Sequence, residues 1–153
     1  MEPFSFIHIA DLHLGKKQYN LDIRSKDYFN TFQRILSMAL KKSVDFVLVA
    51  GDIFDNRRID PSVLSEVFNI IQNFKKECLK KLERKIPLIC IEGNHDNPLS
   101  SSKSWMSFLA DLNLIILLEG YYDISSQSII FPPYSEKTHR GGFIKIKDCC
   151  IYG

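Results

Sequence analysis

Residues 44–55 read VDFVLVAGDIFD: a mostly apolar run, then a glycine, then a carboxylate. Apolar character over 44–50, broken only by Asp45 near its start, gives a strand without a polar face, as in a parallel sheet covered on both sides. Gly51-Asp52 marks the turn at its C-terminal end. The same grammar occurs twice more. Residues 4–10 (FSFIHIA) run into Asp11-Leu12-His13-Leu14-Gly15, and residues 86–92 (IPLICIE) run into Gly93-Asn94-His95-Asp96. The first of these strands, like the second, reads as buried on both faces, with His8 as a satisfied core histidine.

Between the strands the spacing becomes helical. Over 26–42, Tyr28, Phe29, Phe32, Ile35, Leu36 and Ala39 make one apolar stripe. Asp60-Pro61 supplies an N-cap acid and a proline at the first helical position. A second stripe follows through Leu64, Val67, Phe68, Ile71 and Phe74, and this helix is placed at 61–79. The lysine-rich run KKECLKKLERK (75–85) reads as a solvated helix face. Residues 102–112 form another helix, with Trp105, Met106, Leu109 and Leu112 inward. Residues 114–118 form a fourth strand. Past Gly120, residues 128–131, 143–147 and 149–152 read as strands separated by Pro132-Pro133 and Gly141-Gly142. Strand–helix alternation argues for an α/β domain with a largely parallel sheet in its first part.

The whole composition fits one globular domain of 153 residues, with 45% hydrophobic and 25% charged residues. A net charge of +2 does not announce a nucleic-acid binder, so any such affinity needs local basic groups or metal ions. The four cysteines form no C-x-x-C pair, which argues against a zinc knuckle and for a reducing, cytoplasmic compartment. No apolar run is long enough to cross a bilayer, and no signal-peptide pattern opens the chain.

In open α/β sheets the ligand crevice lies outside the carboxyl ends of the strands. All three polar clusters follow a strand, so Asp11, His13, Asp52 and Asn94 are expected to converge there. Oxygen and nitrogen donors without thiolate suit a divalent ion such as manganese or iron. Two such ions about 3.5–4 Å apart can clamp a phosphate and generate the hydroxide for in-line attack. His95 is placed to contact the phosphate or assist the leaving oxygen. Asp96 is placed to hold its ring. Arg57, Arg58 and Lys16, basic and close to the crevice, are candidate phosphate contacts.

DLHLG, GDIFD and GNHD, in this order, resemble the first three motifs of the calcineurin-like metallophosphoesterase superfamily. The longer stretches IHIADLHLGKKQYN, VDFVLVAGDIFDNRRIDPSVL and IPLICIEGNHDNP are similar to the Mre11/SbcD family of DNA double-strand-break repair nucleases. That resemblance implies a sandwich of two sheets flanked by helices. It implies two divalent ions, Mn2+ by family habit: Asp11, His13 and Asp52 hold one, Asp52 bridges, and Asn94 holds the second. It makes His95 the non-ligand catalytic histidine. It gives Asp55, where many relatives carry histidine, a place in the catalytic group with His95 and Asp96. The implied partners are DNA, a Rad50/SbcC-type ATPase and a second copy of the chain, through the helices at 61–79 and 102–112.

The family's later histidine ligands, one in a G-H-x-H motif, have no counterpart. His139 reads as a solvated loop histidine. The 153 residues are therefore expected to be the N-terminal part of a single nuclease domain. The alternatives are another calcineurin-like phosphoesterase or a non-catalytic fragment.

Overall fold

The computed structural model describes residues 3–97 and 103–153. Strand β1 (Phe6–Ile9) leads to helix α1 (Asp22–Lys42), β2 (Phe46–Ala50), α2 (Pro61–Leu82), β3 (Leu88–Ile91), α3 (Trp105–Asp111) and β4 (Ile116–Leu118). Five short strands follow: β5 (Tyr121–Asp123), β6 (Ser128–Ile130), β7 (Arg140–Gly141), β8 (Phe143–Ile146) and β9 (Cys149–Tyr152). The main sheet is parallel throughout, in the order β1-β2-β3-β4-β7. Two antiparallel hairpins, β5-β6 and β8-β9, complete the strands.

Alternation along β2 divides the core. Val47 and Val49 point to one face, where they pack with Phe32 and Leu36 of α1, Val67 and Ile71 of α2, and Met106 and Leu109 of α3. Phe46 joins Ile89, Leu118 and Ile144 on the other face, beneath β8-β9. The strand is thus covered on both sides, by helices and by a hairpin, as its unbroken apolar sequence requires. Each fully buried side chain of this kind contributes about 1.5–3 kcal/mol. An α/β domain with a parallel sheet and flanking helices is what the spacing predicts.

β1 differs from expectation. It is an edge strand with alternating exposure, and Phe6 is 46% accessible. His8 shares the exposed face and is not a core histidine. A strand paired on one side only can keep one face in water, and an apolar run does not reveal which strand takes the edge.

Helix boundaries also shift. α1 begins at Asp22, and α2 continues to Leu82, where Glu83 turns left-handed (φ 56°). Asp60 caps α2 as expected, accepting from the Ser62 amide at 2.8 Å. α3 is shorter than expected: Ser104 caps it, Trp105 is half-buried, and Leu112 is 41% exposed at its end. The predicted start of this helix, Ser102, lies outside the described residues.

Candidate metal centre

The loops after β1 and β2 are zipped together by backbone bonds. Asp11 N donates to Gly51 O, His13 N to Asp52 O and Leu14 N to Ile53 O, the last two at 3.0 and 2.8 Å. The third loop is pinned to the second by side chains. Oδ1 of Asp52 accepts the His95 amide at 3.0 Å. The Asp96 carboxylate accepts the amides of Ile53, Phe54 and Gly93 at 3.1–3.2 Å. Gly51 and Gly93 make this closeness possible. Gly51 has φ +80°, and a Cβ on Gly93 would collide with the Asp52 carboxylate and amide.

Ligand atoms of Asp11, His13 and Asp52 lie within 4.8 Å of one another. The three grade from exposed Asp11 through half-buried His13 to buried Asp52. All three have left-handed backbones, with φ of 54°, 43° and 50°. That region costs an L-residue roughly 1–2 kcal/mol, and non-glycine residues held there cluster at functional sites. The zipped loops supply the constraint that holds them.

The donor set fits a divalent cation. His13 Nε2 is 4.0 Å from Asp11 Oδ1, and its Nδ1 is 3.3 Å from Asp55 Oδ1. That second nitrogen is buried and makes no aligned hydrogen bond. Two carboxylates and an imidazole gathered with a nitrogen left unsatisfied form a hard, mixed O/N site, suited to ions of the manganese or magnesium kind rather than to a thiolate-loving one.

His95 stands beside the cluster, its ring edge-on to His13 with centroids 5.2 Å apart. Its Nδ1 is 2.6 Å from the carbonyl oxygen of Asp55. A carbonyl can only accept, so Nδ1 carries a proton and donates it to this bond, and Nε2 stays outside it. Asp96 therefore does not hold the ring, contrary to expectation. Its two oxygens are taken by three backbone amides. Burial raises the pKa of Asp96, against the lowering pull of those amides. Its role is to fasten the second loop to the third.

The basic candidates separate. Lys16 Nζ sits 3.7 Å from Asp55 Oδ1, at the rim of the cluster. Arg58 and Lys17 line an adjoining groove of about 770 Å³ that reaches Asp55. Arg57 instead donates to two backbone carbonyls of the third loop, Asn94 O at 2.7 Å and Asn97 O at 2.8 Å. Sequence offers no signal for that contact, because a main-chain acceptor leaves no mark on residue type. His139 directly precedes β7, a strand parallel to β4. It lies at the opposite edge of the sheet from the cluster, with Nδ1 3.2 Å from the Tyr134 hydroxyl.

Comparison with known proteins agrees with this geometry. The profile of the family described as "Calcineurin-like phosphoesterase" matches residues 4–149. The chain is 40% identical over 98 residues to the DNA double-strand break repair protein Mre11 of Sulfurisphaera tokodaii, covering 64% of this chain and 24% of that protein. It is 36% identical over 118 residues to the Mre11 of Sulfolobus acidocaldarius, covering 74% of this chain and 28% of that protein. The Archaeoglobus fulgidus Mre11 is 36% identical over 113 residues, with 74% and 24% covered. The chain thus spans about a quarter of the length of the relatives it matches. With its three motifs gathered at the carboxyl edge of a parallel sheet, and with a family match over nearly its whole length, the chain belongs to the calcineurin-like phosphoesterases.

Proposed function

We propose that this chain carries the first half of the metal site of a DNA nuclease acting at double-strand breaks. The observation that carries the reading is the cluster of Asp11, His13 and Asp52, with His95 hydrogen-bonded to the same Asp52. Similarity to three proteins named for DNA double-strand break repair supports DNA as the substrate.

Asp11, His13 and Asp52 would hold one divalent ion, and Asp52 with Asn94 a second, Mn2+ being the ion expected. Bound ions would supply Lewis acidity toward the phosphate and an activated water. The residues of the chain do the rest. Asp55 holds His95 Nδ1 through its carbonyl and brings its carboxylate to His13, while His95 carrying a second proton would donate from Nε2 to a phosphate oxygen or to the leaving group. Lys16 and Arg58 border the approach for the DNA backbone. A Rad50/SbcC-type ATPase and a second copy of the chain belong to the same reading as partners. Work on chromosomal DNA would place the protein in the cytoplasm, or in the nucleus of a eukaryote.

The test is cleavage of single- and double-stranded DNA, with an aryl phosphodiester in parallel, in the presence of Mn2+. Cleavage of DNA that is lost in Asp52→Asn supports the nuclease. Turnover of the aryl ester alone would favour another calcineurin-like phosphoesterase. One observation favours a non-catalytic chain. His139, the only histidine after His95, lies at the far edge of the sheet. Metal binding by the 153 residues without turnover of either substrate would decide for that second reading.

A further inference from the structure

The third loop is tied down from outside the metal cluster by a cation that binds no metal. Nη2 of Arg57 donates to Asn94 O and Nε to Asn97 O, so one planar guanidinium spans the turn that carries His95 and Asp96. Within that turn Gly93 O accepts the amides of Asp96 and Asn97. Those bonds close the turn but do not set its angle to the β2 loop. Arg57 follows that β2 loop directly, so its fork adds a further tie between the two, beside those made by Asp52 and Asp96. Arg57 is itself anchored: its carbonyl accepts from Trp105 Nε1 at 3.0 Å, at the first turn of α3. Ser104, which caps α3, donates to the carboxylate of Glu92 on the other side of the same loop. The contacts run from Glu92 through Ser104, Trp105 and Arg57 and return to Asn94, encircling the loop.

We infer that Arg57 is a positioning residue, whose forked hydrogen bonds to the Asn94 and Asn97 carbonyls hold Asn94 and His95 in register with Asp52. The side chain of Arg57 is exposed, but its Nε and Nη2 are spent on main-chain carbonyls and not on phosphate oxygens. A guanidinium suits the task because its donors are fixed in one plane, whereas lysine offers a rotating point charge. The part of the inference that concerns metal affinity rests on the function proposed above. The part that concerns loop geometry does not.

Two measurements on the chain, with Arg57→Ala and Arg57→Lys, test it. The first is amide hydrogen exchange by NMR without metal. Exchange at His95, Asp96 and Asn97 should rise about tenfold in both variants, while the amides of β2 and β3 keep their rates. Unchanged exchange, or full retention by lysine, would overturn the fork. The second is titration with Mn2+, read by the EPR signal of the free ion. Loss of an outer partner that orients a ligand costs about 10–100-fold in affinity, and a fall of at least tenfold is expected in both variants. Wild-type affinity in Arg57→Ala would overturn the positioning role. If the parent chain binds no Mn2+ at all, the metal reading fails, and the exchange measurement still judges Arg57. Should the alanine variant not fold, the lysine variant, which keeps charge and bulk, answers both questions.

Discussion

The backbone amide of His95 donates to Oδ1 of Asp52, 43 positions earlier in the chain. One carboxylate therefore serves as a candidate metal ligand and as the anchor of the candidate catalytic histidine. Asp52→Asn removes the charge and presents either an oxygen or an NH2 group to that amide. We expect Mn2+ affinity to fall by at least about tenfold, a floor set by the 10–100-fold effect of outer partners, with phosphodiester cleavage lost. Isothermal titration with Mn2+ checks the first, and a gel assay on labelled DNA the second.

Asp96→Ala tests the fastening of the second and third loops. Three amides lose their acceptor, each worth about 1 kcal/mol. Relief of the desolvation that raises the Asp96 pKa offsets part of this. A net loss of about 2 kcal/mol is expected in urea unfolding. Asp96→Asn should lose less, because its one oxygen can still accept the Ile53 and Gly93 amides that share Oδ2, while its NH2 group faces the Phe54 amide. An unaltered midpoint in both would show that the loops hold together without this pin.

Gly93→Ala probes the closeness of the loops directly. The added methyl would meet the Asp52 carboxylate and backbone amide, neither of which is the free end of a flexible chain. Overpacking of this kind costs about 1–3 kcal/mol, and the displaced carboxylate should also weaken Mn2+ binding. Thermal unfolding with and without Mn2+ separates the two effects: the stabilising shift given by the ion should shrink along with the midpoint.

Far from the site, Asp45 ties three segments. It accepts from the Ser5 amide at 2.9 Å and pairs with Lys147 at 2.8 Å. The hydrogen bond from Lys147, and then that from Ser5, hold its carboxyl below the ordinary value of 3.8. A carboxylate depressed by folding stabilises the native state above its unfolded pKa, and the contribution is lost as pH falls through the folded value. Asp45→Asn should therefore cost about 1 kcal/mol at neutral pH, the scale of a partly exposed pair. The gap to the parent should begin to narrow as pH falls past the ordinary carboxylate value and close below the lowered folded value. Urea midpoints at pH 7 and pH 3 check the sign; a gap that widened in acid would be incompatible with it.

Much of this organisation is written in residue type. β2, β3 and the helix stripes through Phe32, Leu36, Val67 and Ile71 follow from hydrophobic period. The cluster of Asp11, His13 and Asp52 follows from polar residues placed after parallel strands. What escaped had partners without a sequence signature. Asp96 and Arg57 act on main-chain groups, so their side chains suggested a histidine partner and a DNA phosphate instead. β7 is two residues long and joins the sheet by pairing Leu117 with Arg140 and Leu118 with Gly141, too short to carry a period. Of the pair Tyr121–Asp123 and Ser128–Ile130 only the second strand is legible, because the tyrosines of β5 are exposed and lack an alternating pattern. Leu112 and His8 show the same limit: apolar neighbours in the chain do not say where the core ends.

β1 leaves one row of its backbone amides and carbonyls without a strand beside it among the described residues. Phe4 and Phe6, stacked on Phe46, form a flat aromatic face next to that row. Open strand borders with apolar neighbours template further strands, so concentrated solutions should grow aggregates from this margin. Light scattering should rise with concentration in the parent and less in Phe6→Lys, where a charge blocks the approach. Sheet extension from this border, rather than global unfolding, would then govern the shelf life of the isolated chain.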